Sequence, residues 1–213
     1  MNSWQATALN TAPDSENQIH SDELAKEYGF KGGLVPGVTV SAYLLHPVIE
    51  SFGEAWLADG YANCKVSSPL YDGETFTVSS EILKEGCHNT FLKNQEGRII
   101  ANAESKLTKN KHPEPKYRGD PLVQENFKAP KASFAIWDEL KKEGCRAFEF
   151  HWGGKDPLIY LSDEGLLPEI LQPKGGGFAN LCFLLGCSNW ILAGNAFMNP
   201  WVHLQTKSQN YKP

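Results

Sequence analysis

The strongest pattern in the chain lies in residues 37–52. Val38, Ala42, Leu45, Ile49 and Phe52 recur at helical spacing, and Val40, Tyr43, Leu44 and Val48 fill the opposite side. A helix that is apolar nearly all round is buried, and Pro47 should bend it because proline removes one hydrogen bond and crowds the preceding turn. Period-two alternation follows. In residues 61–67, Ala62, Cys64 and Val66 alternate with polar neighbours, and in residues 75–83, Phe76, Val78, Ser80 and Ile82 share one face. Gln95-Glu-Gly97 reads as a hairpin turn between strands at 89–93 and 98–108, the latter with Ile99, Ala101, Ala103 and Leu107 on its inner face. One long helix followed by an antiparallel meander predicts an α+β fold.

The flanking segments are less regular. Residues 1–16 are polar and read as a loose lead-in. Ser21 is a good N-cap for a short helix that Gly29 ends. Residues 109–131 hold four prolines among many lysines and read as a linker. Beyond it come a short helix at 132–143, a strand at 146–152, an apolar helix after Gly175-Gly-Gly177 and a strand at 201–207. The distance from Gly177 to Trp201 equals that from Gly37 to Tyr61, which predicts a weak repeat of the first half. The organisation expected is a first unit at 1–108, a linker at 109–131 and a degenerate or truncated second unit at 132–213. A truncated unit leaves a sheet edge uncovered, so a homodimer or larger assembly is expected, with residues 175–208 in the interface.

Composition narrows the function classes. The 213 residues are 41% hydrophobic and 21% charged, as in ordinary globular proteins, and the net charge of −5 argues against a nucleic-acid surface. There is no window of about 18 consecutive apolar residues, so no membrane partner is expected. Five scattered cysteines without a CxxC pair fit free thiols and a cytoplasmic location, and the Cys and His spacings suggest no metal site.

The chemistry concentrates in Asn17-Gln-Ile-His20-Ser-Asp22, followed by Ala25, Gly29-Phe30 and Val35-Pro36-Gly37. A histidine beside the amide-rich start of a helix suits proton transfer next to a polarised carbonyl, since imidazole both takes and gives a proton near neutral pH. This spacing resembles the hydratase signature of MaoC-like dehydratases, which include (R)-specific enoyl-CoA hydratases. Asn17, Ile19, His20, Asp22, Ala25, Gly29, Phe30 and Gly37 match, whereas Gln18 stands in place of the family's Pro and Ser15 in place of its catalytic Asp.

The resemblance implies a hotdog fold, with the weak repeat forming a partial double hotdog. It implies hydration or dehydration of an acyl thioester, acyl-CoA or an acyl-carrier thioester, with coenzyme A entering only as part of the substrate and no cofactor. His20 would transfer the proton, the Gly37 N–H would donate to the thioester oxygen, and Asn17 would shape the site. Asp14 and Glu16 flank Ser15, and a one-residue slip would bring either carboxylate into the place of the missing acid. The alternative is a non-catalytic hotdog protein that binds acyl groups or serves as an assembly subunit.

Overall fold

The computed structural model describes residues 2–83, 86–108, 122–124, 126–152, 159–172 and 178–210. Most of the linker at 109–131 and all of Gly175-Gly-Gly177 lie outside the described residues. The elements in chain order are β1 (Asn2–Thr7), α1 (Leu24–Glu27), α2 (Gly37–Phe52), α3 (Glu54–Asp59), β2 (Gly60–Val66), β3 (Thr75–Ile82), β4 (Cys87–Lys93), β5 (Ile99–Leu107), α4 (Phe134–Glu143), α5 (Leu181–Asn195) and β6 (Gln205–Gln209).

The six strands form one antiparallel sheet in the order β1-β3-β4-β5-β2-β6. Helix α2 packs on its inner face, buried at every position from Val38 to Ile49. This is the hotdog arrangement. Small inward residues, Ala62, Cys64, Ala101 and Ala103, let the helix approach the sheet closely, while Leu44, Leu45, Val48 and Ile49 fill the space above. Each such aliphatic side chain contributes roughly 1.5–3 kcal/mol by burial. The helix runs through Pro47, and the Ser51 hydroxyl donates back to the Pro47 carbonyl at 2.8 Å.

Several expectations need correction. The lead-in is not loose: residues 2–7 form β1, which pairs with β3 from Asn2↔Ser80 to Thr7↔Thr75 and turns Trp4 and Ala6 toward the core. The pairing of β4 with β5 shifts register between Leu92 and Lys93, which face Ala101 and Ile99, so that Ile100 is the extra residue and is buried while Ile99 is turned out. Residues 146–152 form no strand; Ala147 makes only an isolated bridge to Leu122.

The second half supplies no sheet of its own among the described residues. Its strand β6 pairs with β2 and extends the first sheet. Helix α5 lies against α2, and Tyr160, Leu161, Leu167, Leu171, Leu181 and Cys182 enter the same core as the first half. The described part of the C-terminal segment thus packs on the helix of the first unit and extends its sheet.

Candidate functional site

His20 is fixed by its neighbours on both sides. It closes a 3-10 turn over Gln18–His20, and Ile19, Ala25 and Leu34 form a small separate core beneath it. The Asn10 side-chain amide donates to the His20 carbonyl at 2.8 Å. The Asp22 carboxylate accepts from the Gly33 N–H at 2.8 Å and holds the connector in place. Gly33 must lack a side chain, because a Cβ there would collide with the His20 carbonyl.

The ring has one consistent tautomer. Leu34 O lies 2.7 Å from Nδ1 and only accepts, so Nδ1 carries the proton. Nε2 then carries the lone pair, which accepts from the Asn17 amide N–H at 3.3 Å. Burial lowers the His20 pKa below its ordinary value, partly offset by the bond to Leu34, so the ring is a neutral base at neutral pH.

Asn17 is buried and serves two groups. Its Nδ2 donates to the Trp201 carbonyl at 2.9 Å, and its Oδ1 accepts from the Trp201 N–H at 3.2 Å. The Gln18 N–H adds a bond to Asn199 Oδ1 at 3.1 Å. Together these clamp residues 199–204 across the start of α2. His203 sits over Gly37, where a Cβ would come 2.5 Å from the His203 carbonyl oxygen. The close approach that this glycine permits is thus made by the chain's own backbone. The Gly37 N–H makes no hydrogen bond among the described residues, as expected for the first turn of a helix.

The clamped segment divides the site into two cavities that share His20, Asn17, Pro36, Asn189 and Trp201 as walls. The first, of about 210 Å³, reaches Gly37, Val40 and Leu70 and has no carboxylate in its lining. The second, of about 290 Å³, has Ser15 and Glu16 at one side and the apolar face of α5 at the other. Of the two acids flanking Ser15, Glu16 therefore lines a cavity with His20. Asp14 is exposed and lines neither. A third hollow, of about 690 Å³, lies at the far end of α2 beside Glu50 and Glu81 and shares no lining residue with the other two.

Asn189, Trp201 and His203 belong to the site and were not foreseen. Asn189 was the signal: a polar residue on the otherwise apolar stripe of its helix. Its Oδ1 accepts from His203 Nδ1 at 3.0 Å, while Thr206 Oγ1 donates to Nε2 at 2.6 Å. With both ring nitrogens bonded inside the fold, His203 braces the clamped segment. All five cysteines are free thiols, and burial pushes Cys64 up to about 12. Among the described residues no group of three or more His, Cys, Asp or Glu is placed to hold a metal ion, and no helix is long and apolar enough to cross a membrane.

No protein-family model and no curated protein matches the chain. Among solved structures it is similar to a MaoC-like dehydratase from Phytophthora capsici, with 20% identity, a TM-score of 0.45, and coverage of 52% of this chain and 42% of that one. It is similar to the (R)-hydratase from A. caviae involved in PHA biosynthesis, with 15% identity, a TM-score of 0.38, and coverage of 50% and 93%. It is also similar to the full-length peroxisomal multifunctional enzyme type 2 from Drosophila melanogaster, with 19% identity, a TM-score of 0.42, and coverage of 50% and 22%. The chain thus spans less than half the length of the Phytophthora protein and less than a quarter of the Drosophila one. What fixes the hotdog fold of this chain is its sheet order and the helix that the sheet wraps.

Proposed function

We propose that the protein hydrates or dehydrates acyl thioesters, with acyl-CoA or an acyl-carrier thioester as substrate. The observation that carries this reading is the His20 Nε2 lone pair, held in a neutral ring in a wall shared by two cavities, one of which also has Glu16. In the hydration direction a water adds its oxygen to the β-carbon of a trans-2-enoyl thioester. Once its Nε2 gives up the 3.3 Å bond from the Asn17 amide, His20 takes the proton that the water loses, and Glu16 holds the water. The electron pair of the double bond moves toward the thioester carbonyl; Gly37 lines the first cavity and Glu16 the second, so donation from the Gly37 N–H requires the thioester to pass the shared wall at His20 and Asn17 while its β-carbon stays beside Glu16. The imidazolium then returns its proton to the α-carbon, so the elements of one water are added and the enzyme is restored.

One observation favours a second reading. Ser15 lines the cavity with Glu16, both are exposed, and no hydrogen bond joins either side chain to His20. A protein that binds acyl groups without turning them over needs no such bond. Incubation with trans-2-enoyl-CoA thioesters of several lengths separates the two, with the 3-hydroxyacyl product followed by mass spectrometry. Product formation supports the enzyme. Saturable binding with no product supports the binding protein.

Assembly belongs to the same proposal. Strand β6 ends the sheet with no further strand beside it among the described residues, Val202 and Leu204 are exposed on the segment leading into it, and Leu184 and Leu192 are exposed on α5. A homodimer through this region is expected, and light scattering at micromolar concentration checks it; a monomer would oppose it.

A further inference from the structure

Helix α5 has two interior glycines, and they differ in what they accommodate. Glycine within a helix costs about 1 kcal/mol relative to alanine, so each invites a reason. Gly194 has one in the packing, because a Cβ there would run into the Phe148 ring. Gly186 has none. Its backbone is ordinary helix, and a Cβ would meet only the Trp190 ring at 3.5 Å, a normal van der Waals distance. The protein would accept alanine there. What the glycine leaves open is the second cavity.

Cys182, Gly186, Asn189, Trp190 and Ala193 follow helical spacing, and all line that cavity. Phe197 and Met198 continue the apolar lining. At about 290 Å³ the cavity is at the small end of ligand sites, so the volume of one or two side-chain carbons matters. His20 and Glu16 line it as well, so an acyl chain whose reacting carbons lie beside them has room to extend toward α5.

We infer that Gly186 is a specificity-determining residue, whose missing side chain sets how long an acyl chain the second cavity accepts. This rests on the acyl-thioester reading above. Alanine shortens the accepted chain, and leucine closes the cavity to all but short chains. The argument uses the shape of the cavity and the absence of any packing demand at this position. It does not require that Gly186 touch the reacting atoms.

The test compares wild type, Gly186→Ala and Gly186→Leu in two measurements. Trp190 and Trp201 line the cavity, so tryptophan fluorescence reports the binding of unreactive S-alkyl-CoA thioethers, from S-butyl to S-dodecyl. Turnover of the matching enoyl-CoA series is measured beside it. The expected result is that affinity rises with chain length and levels off at progressively shorter chains in the order wild type, Ala, Leu. The longest chain that wild type accepts should lose about tenfold or more in kcat/KM in Gly186→Ala, with the shortest little changed. The Ala variant should melt no lower than wild type, which keeps the comparison valid if leucine disturbs the fold. An identical length dependence in wild type and Gly186→Ala overturns the inference, and if turnover persists the hydratase reading stands. A shifted binding profile with no turnover in any protein supports Gly186 as selector and removes the hydratase reading.

Discussion

Asn17 and Trp201 grip each other from opposite ends of the chain. The Asn17 amide donates to the Trp201 carbonyl at 2.9 Å, and the Trp201 N–H donates to the Asn17 carbonyl oxygen at 3.2 Å. An asparagine satisfies both peptide groups at once because it carries a donor and an acceptor on one planar group. The same amide nitrogen lies 3.3 Å from His20 Nε2. One side chain thus sets both the wall between the cavities and the position of the base.

Replacing Asn17 with Ala leaves the Trp201 peptide without its partners in a partly buried place. A loss of about 1–3 kcal/mol in unfolding free energy is expected. Hydrogen exchange should accelerate at Trp201 more than at strands β3 and β4. Chemical denaturation and exchange mass spectrometry check both. Unchanged protection at Trp201 would mean that other contacts hold residues 199–204.

The two acids around Ser15 should behave differently. Glu16 lines the cavity of His20 and Asp14 does not. Glu16→Gln should lower enoyl-CoA turnover by about tenfold or more, because the amide loses the carboxylate charge and one of the two acceptor oxygens that hold the water. Asp14→Asn should leave turnover within about twofold, the usual result for a surface change away from the site. The reverse order of effects would place the water on the other side of Ser15.

His46 makes a prediction about stability. It is fully buried on α2, stacked on Trp4 with ring centroids 3.9 Å apart, and its Nδ1 lies 3.2 Å from the Tyr160 hydroxyl. Burial lowers its pKa from 6.5 to about 4. Between those values the unfolded chain binds a proton that the folded one refuses, so stability rises with pH there. The contribution is complete above about pH 6.5 and is lost as the pH falls through about 4. Its size is roughly 3 kcal/mol. Thermal unfolding from pH 7 to pH 4 should show this decline, and His46→Phe should make it shallower. Some slope remains, because His20, His88 and His203 are lowered by burial as well. The same slope in both proteins would mean that His46 is not the group responsible.

The fold was legible where one face of an element is buried and the other is wet. Helix α2 and strands β2 to β5 carry periods that only a core-facing helix and half-buried strands satisfy. Strand β1 was missed because Asn2–Thr7 has only Trp4 and Ala6 to turn inward, too short a run to stand out from a polar segment. The strand expected at 201–207 lies at Gln205–Gln209, because residues 201–204 are clamped over the start of α2 instead. The pairing of Gln205–Gln209 with β2 depends on where α5 lies, which no local pattern encodes. The bulge at Ile99 and Ile100 was hidden because two adjacent isoleucines fit either face.

The site was legible in part. Asn17 and His20 are brought together, and Gly37, whose N–H makes no hydrogen bond among the described residues, lines the first cavity with them. The bonds from Asn17 to Trp201 and from Asn189 to His203 span segments far apart in sequence or join a turn to a helix, and periodicity carries no signal for them. The role of Gly37 as a seat for the His203 backbone likewise depends on a segment that arrives more than a hundred and fifty residues later.

The most direct measurement is the hydration rate of a short trans-2-enoyl-CoA by wild type and by His20→Ala, each shown by circular dichroism to be folded. His20 as the proton-transfer group predicts that kcat falls by about two to four orders of magnitude in the variant while the melting temperature changes little. Equal rates in the two folded proteins would contradict the proposed chemistry at its centre.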